Sequence, residues 1–197
     1  MVNISVLVSG GGTNLQALID KIQAGELEGV RIVQVIASRE DAYALERAAK
    51  AGIKGKVVKE TGRLLSELAS ENTDLIVLAG YMKVLEPAVI DAYRKRIVNI
   101  HPSLIPKYCG KGFYGKRVHQ AVIDGKEKVS GATVHFVDEG VDTGEIILQR
   151  EVPVEPGDTA DTLAARVLKT EHVILAEGIK KVMAELPEKE GGKKWAE

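Results

Sequence analysis

The first hundred residues alternate short apolar runs with helical patterns, and this alternation constrains the fold more than any other feature of the chain. Residues 3–9 (NISVLVS) form a β-branched run closed by glycines, the pattern of a short strand. Residues 13–24 follow with Leu15, Leu18, Ile19 and Ile22 at helical spacing. A second strand is predicted over 31–37 and a second helix over 43–51, stopped by Gly52. A short strand at 56–59 precedes a helix around 64–72. The run 74–78 (DLIVL) is apolar on both faces, as a central parallel strand must be. A helix over 87–94 then leads into a strand ending VNIH. Such βαβ units imply an α/β fold with a doubly wound, mostly parallel, Rossmann-like sheet.

Beyond residue 101 the pattern changes. Residues 118–123 read as a short helix, 133–137 and 146–153 as successive strands, and about 159–186 as one long helix. Two strands in succession predict a mixed or antiparallel extension of the same sheet. No repeat or linker divides the chain, so residues 1–186 are expected to form one domain and 187–197 (PEKEGGKKWAE) a polar, frayed tail.

Composition narrows the function. At a formal net charge of −1 the chain has no overall basic field to recruit nucleic acid. Its single cysteine, Cys109, excludes an intramolecular disulfide framework and a multi-cysteine zinc site. The start, MVNISVLVSG, has neither a basic leader nor a cleavage pattern, and no apolar run approaches membrane-spanning length. The expectation is a cytoplasmic protein acting on small molecules, without nucleic-acid or membrane partners and without a metal.

Three segments carry polar residues suited to chemistry. SGGGTN, residues 9–14, lies between the first strand and first helix, where an anion can rest on free N–H groups. It is not a P-loop, since no Lys-Ser/Thr follows. As a dinucleotide fingerprint it is imperfect, because Leu15 stands where a third glycine belongs. A monophosphate site is expected, although glycines also occur in such turns for tightness alone. VNIHPSLIP, residues 98–106, sends Asn99 and His101 from the same face of an extended chain, and its prolines then interrupt regular structure. In the turn DEGVDTG, Asp142 lies between two glycines that can shape the backbone around it. The first two segments, and LAGYMKVL (78–85), follow predicted parallel strands. An open α/β sheet binds ligands at such ends, so these segments meet at one cleft.

SGGGTNLQALID, LAGYMKVL, NIHPSLIP and GATVHFVDEGVDTGEIILQ, in this order and at these separations, closely resemble the glycinamide ribonucleotide formyltransferase family of folate-dependent enzymes. The resemblance covers roughly residues 2–182. It implies transfer of a formyl group from the cosubstrate 10-formyltetrahydrofolate to the amine of glycinamide ribonucleotide, in purine biosynthesis. It implies Asn99, His101 and Asp142 as the catalytic trio. By the same token Gly12, Thr13 and Asn14 match the loop for the ribonucleotide phosphate, and Glu171 a ribose contact. Met82, Lys83, Val84 and Leu85, with Asn99, match the folate-binding segment. His119 and His135 fall in family motifs and are read as structural. The stretch KYCGKGFYGKRVH is longer than in shorter-looped members, and no folate contact is transferred onto Arg63. Homologues of this type are monomers or homodimers.

The implied chemistry builds a tetrahedral intermediate with negative charge on the former carbonyl oxygen. Each donor fixed where that charge grows is worth about 3 kcal/mol. Asn99 supplies a neutral, permanent donor, and His101 a second one when protonated. Asp142 is expected to raise the His101 pKa by about one unit or more, and to accept the proton lost by the attacking amine. Alternatives within the chemistry are methionyl-tRNA formyltransferase, which carries a further basic domain, and formyltetrahydrofolate hydrolase, which carries a preceding one. An NADP-binding oxidoreductase would use Arg39 after the second strand for the 2′-phosphate. A non-catalytic nucleotide-binding module would need the glycine loop but not the trio.

Overall fold

The computed structural model describes residues 1–186. The tail expected over 187–197 lies outside them. The elements are β1 (Val2–Val8), α1 (Thr13–Gln23), β2 (Val30–Ala37), α2 (Ala44–Lys50), β3 (Gly55–Val57), α3 (Leu64–Ser70), β4 (Leu75–Leu78), α4 (Pro87–Ala92), β5 (Ile97–His101), α5 (Lys116–Asp124), β6 (Val129–Phe136), β7 (Ile146–Pro153) and α6 (Ala160–Glu185). They build one seven-stranded sheet in the order β3-β2-β1-β4-β5-β6-β7. The strands are parallel from β3 to β5, whereas β6 and β7 join antiparallel. The mixed α/β sheet with a long final helix matches the architecture expected from the alternation.

Alternation along β1 divides the core in two. Ile4, Val6 and Val8 pack with Leu15 and Leu18 of α1 and with Ile174, Leu175 and Ile179 of α6. Leu7 points the other way, into a cluster with Leu64 and Leu68 of α3 and Val89 and Ile90 of α4. The long helix starts where Thr159 accepts from the Thr162 N–H and Thr162 returns the bond, a capping box. It lies close to β6 because Gly178 has no side chain; a Cβ there would come within 2.7 Å of Val134. Among the described residues no helix is long and apolar enough to cross a membrane.

Several boundaries differ from the sequence reading, those of β6 and β3 among them. β6 begins at Val129 rather than at 133, because its pairing with β7 runs on through Ser130 and Gly131, residues with no strand signal of their own. Gly131 is required there, as a Cβ would lie 2.2 Å from the Arg150 carbonyl oxygen. β3 is only three residues long, Gly55–Val57, since the edge position gives it one partner, β2.

Candidate active site

Chain order reverses at β1, which pairs with β2 on one side and β4 on the other, so a crevice opens above their carboxyl ends. Ser9 ties its two walls together. Its Oγ contacts Ser38 Oγ at 2.6 Å and accepts the Met82 N–H at 2.8 Å. Ser9 thereby links the glycine loop to the 80–85 segment.

At the start of α1 the backbone N–H groups have no side-chain cap. Gly12 adopts φ 72°, and a Cβ there would lie 2.6 Å from Ala44 Cβ, so this glycine serves the turn and the packing of α2. Gly10 and Gly11 have no neighbour within 4 Å of a Cβ position and form the open part of the loop. Thr13 is exposed. Asn14 is buried, and its Nδ2 donates to Glu171 Oε2 on α6 at 2.7 Å. Burial pushes the Glu171 carboxyl above its usual range, and the Asn14 bond acts against that. Residues 157 positions apart thus meet at the helix N-terminus.

The trio converges on the end of β5. Asn99 Nδ2 lies 3.0 Å from His135 Nε2 and 3.4 Å from Asp142 Oδ1. Asp142 Oδ2 lies 3.5 Å from His101 Nδ1 and accepts the Gly110 N–H at 2.9 Å. Asp142 itself takes φ 58°, a left-handed conformation that Asp tolerates better than most residues. Carbonyl partners assign the histidine protons. His135 Nδ1 faces the Phe136 carbonyl at 2.7 Å and His101 Nε2 the Tyr108 carbonyl at 3.0 Å, so each of those nitrogens donates. The other ring nitrogen of His135, Nε2, faces the Asn99 amide.

His135 was expected to be structural, yet it stands inside this group, 2% exposed and 3.6 Å from Asp142 Oδ1. The signal that could have found it is register: β6 runs antiparallel beside β5 and sets His135 opposite Asn99. The His101 pKa also departs from expectation. Burial pushes it below the ordinary histidine value, and the upward pull of the Tyr108 carbonyl and Asp142 does not overcome that cost. Asp142 shows the opposite balance. Burial alone would raise it, but His135, His101 and the Gly110 N–H together hold it below the usual carboxylate range.

Beside the trio lies a cleft lined by the apolar Leu78, Tyr81, Leu85, Ile90 and Val137, and also by Asn99, His135 and Asp142. Lys83 and Val84 stand along it as well. Met82 does not line it; its side chain is largely exposed. Arg63 borders a separate polar depression with Glu40 and Lys59, and pairs with Glu67. Arg39 is engaged by both oxygens of Asp41, at 2.5 and 2.6 Å, in an exposed pair. Cys109 sits with its thiol pushed up by burial and by Asp142, the reverse of an activated nucleophile. Among the described residues no group of His, Cys, Asp and Glu has the arrangement of a metal site.

Residues 2–179 match the model of the formyl transferase family. The chain belongs to that family. Among formyl transferases, the phosphoribosylglycinamide formyltransferase of Escherichia coli K12 is 39% identical over 181 residues, covering 87% of this chain and 82% of the relative. The trifunctional purine biosynthetic protein adenosine-3 of Drosophila melanogaster is 43% identical over 86% of this chain, which spans only 13% of that relative's length. A crystal structure of glycinamide ribonucleotide transformylase 1 from Symbiobacterium toebii superimposes with a TM-score of 0.88 at 39% identity, covering 96% of this chain and 92% of that one. The formyl transferase fold extends over the whole sheet, including the antiparallel strands that carry His135 and flank the Asp142 turn.

Proposed function

We propose that this formyl transferase moves the formyl group of 10-formyltetrahydrofolate onto the primary amine of glycinamide ribonucleotide. The carrying observation is the convergence of Asn99, His101, His135 and Asp142 beside a cleft with an apolar wall, three of them lining it. The Leu78–Tyr81–Leu85 wall suits a flat heteroaromatic ring, and the open N-terminus of α1 with Gly10, Gly11 and Thr13 suits a phosphate. Glu171, held by Asn14, is assigned the ribose contact, its carboxylate accepting from a hydroxyl. The two substrates then approach the trio from opposite sides of the crevice.

Attack of the amine nitrogen on the formyl carbon makes one C–N bond and places charge on the formyl oxygen. Asn99 meets that charge with its amide donor. His101 starts largely neutral because it is buried, and takes a proton from solvent as the oxyanion grows beside it, since an adjacent negative charge favours the imidazolium. Asp142, ionised well below neutrality, accepts the proton released by the amine. The bond to the folate nitrogen then breaks as that nitrogen takes up, directly or through water, the proton that Asp142 accepted from the amine. A cytoplasmic location and a monomeric or homodimeric state belong to the same proposal. Assaying formyl transfer to glycinamide ribonucleotide with purified protein tests it, with separate folate and NADPH titrations. Tight NADPH binding without folate binding would overturn it.

A further inference from the structure

We infer that Glu127, just beyond the C-terminus of α5, is a positioning residue for His101 and acts on it through Tyr108. The inference rests on the catalytic roles proposed for His101 and Asp142. Residues 108–110 touch both of those groups: the Tyr108 carbonyl accepts from His101 Nε2 at 3.0 Å, and the Gly110 N–H donates to Asp142 Oδ2 at 2.9 Å. This short segment lies outside any helix or strand. It also holds an unfavourable conformation, for Tyr108 takes φ 53°, a region costly to an aromatic residue. Something must hold it there.

One anchor is Glu127; another is the Ser103 hydroxyl, which donates to the Tyr108 carbonyl at 3.2 Å. The Tyr108 hydroxyl donates to Glu127 Oε1 at 3.1 Å, and Lys107 Nζ reaches the same oxygen at 2.9 Å. Gly125 leaves the space for the phenol, since a Cβ there would lie 2.3 Å from the Tyr108 oxygen. Phe113 packs edge-on against the same ring, with centroids 6.1 Å apart. Ser103 Oγ donates to the Lys107 carbonyl at 2.7 Å and so fastens the backbone just ahead of Tyr108. Tyr108 is thereby gripped by its side chain while its carbonyl grips His101.

The consequence is chemical. With Nε2–H committed to the Tyr108 carbonyl, the neutral ring turns a bare Nδ1 toward Asp142 Oδ2 at 3.5 Å. The protonated ring instead donates there. The clamp therefore selects which nitrogen exchanges its proton, and it favours the imidazolium. The other titratable groups acting on His101 are Asp142 from the β6–β7 turn, His135 from β6 and His119 from α5. None of them replaces the carbonyl, because none offers Nε2 an acceptor at hydrogen-bond distance.

The test compares Glu127→Ala, Tyr108→Phe and the conservative Glu127→Gln in the full chain, each checked for fold by circular dichroism. Kinetics with both substrates are read beside 15N NMR of the His101 ring through a pH titration. Glu127→Ala and Tyr108→Phe are expected to lower kcat by about tenfold, as a slightly misplaced catalytic group does, with smaller changes in either KM. The His101 midpoint should move down and its Nε2–H tautomer become mixed, while Glu127→Gln retains most of both. A lower kcat with His101 signals unmoved is a general structural loss and overturns the inference. So does an unmoved His101 in Tyr108→Phe if Glu127→Ala fails to fold. Asp142→Asn separates the two levels: if it too leaves the His101 titration unmoved, the proposed catalytic pair fails. If it shifts that titration and the clamp variants do not, only the positioning role of Glu127 fails.

Discussion

Asn99 does its proposed work with one functional group, a neutral amide whose hydrogens point at His135 and Asp142 rather than at solvent. Replacing it with alanine removes a donor that matters most when the oxyanion forms. The expected result for Asn99→Ala is a fall in kcat of about a hundred- to a thousandfold, with both KM values changed far less. Steady-state kinetics with each substrate varied in turn checks this. A mutant that kept kcat and lost only KM would remove Asn99 from the transition state. For Asp142→Asn the volume hardly changes but the charge is lost, so the His101 pKa should drop further and kcat should collapse together with proton acceptance.

Elements set where those residues stand. The turn into α1 separates two kinds of glycine that sequence alone treats alike. Gly12→Val would strain a left-handed residue and collide with Ala44, so it should destabilise the whole protein and lower Tm. Gly11→Val meets no neighbour and should spare the fold, lowering affinity for the ribonucleotide but not for the folate. Calorimetry and equilibrium titration with each ligand distinguish the two; equal affinity losses in Gly11→Val would remove the loop from the phosphate site. At the other end of the molecule α6 depends on Gly178. Gly178→Ala places a methyl group against Val134 of β6 and should cost about 1–3 kcal/mol of stability in a denaturant titration.

The whole molecule carries its buried histidines as a stability term. Burial lowers the pKa of both His101 and His119, so the unfolded chain takes up protons more readily than the folded one as pH falls through 6.5. Stability is therefore full above that pH and declines below it, by up to about 1.4 kcal/mol per pH unit for each proton taken up. Asp142, held low, adds a further loss once pH falls through about 3.8 toward its folded value. Glu171 acts in the opposite sense, since its raised pKa weakens the fold as pH climbs through 4.5. The urea midpoint should be lower at pH 5.5 than at pH 7.5, with a shallower dependence in His119→Asn. Equal midpoints in the parent protein would contradict this balance.

By itself the sequence determined the order of elements and their class. Strand and helix periodicities are local properties, and the parallel topology that joins them follows from chain connectivity. For the same reason it located the glycine loop, the 80–85 segment and Asn99-Ile100-His101 at one end of the sheet, and sent Asn99 and His101 to one face. Tertiary structure alone decided which side chains become partners. Asn14 finds Glu171 only when α6 crosses back over the sheet, and His135 enters the constellation through antiparallel register with β5. The clamp from Glu127 through Tyr108 to His101 depends on a loop without periodicity. The sign of the His101 shift was equally beyond the sequence, because it is a contest between desolvation and charge. Proximity in the chain reports neither how completely a ring is buried nor what stands within hydrogen-bond distance of it.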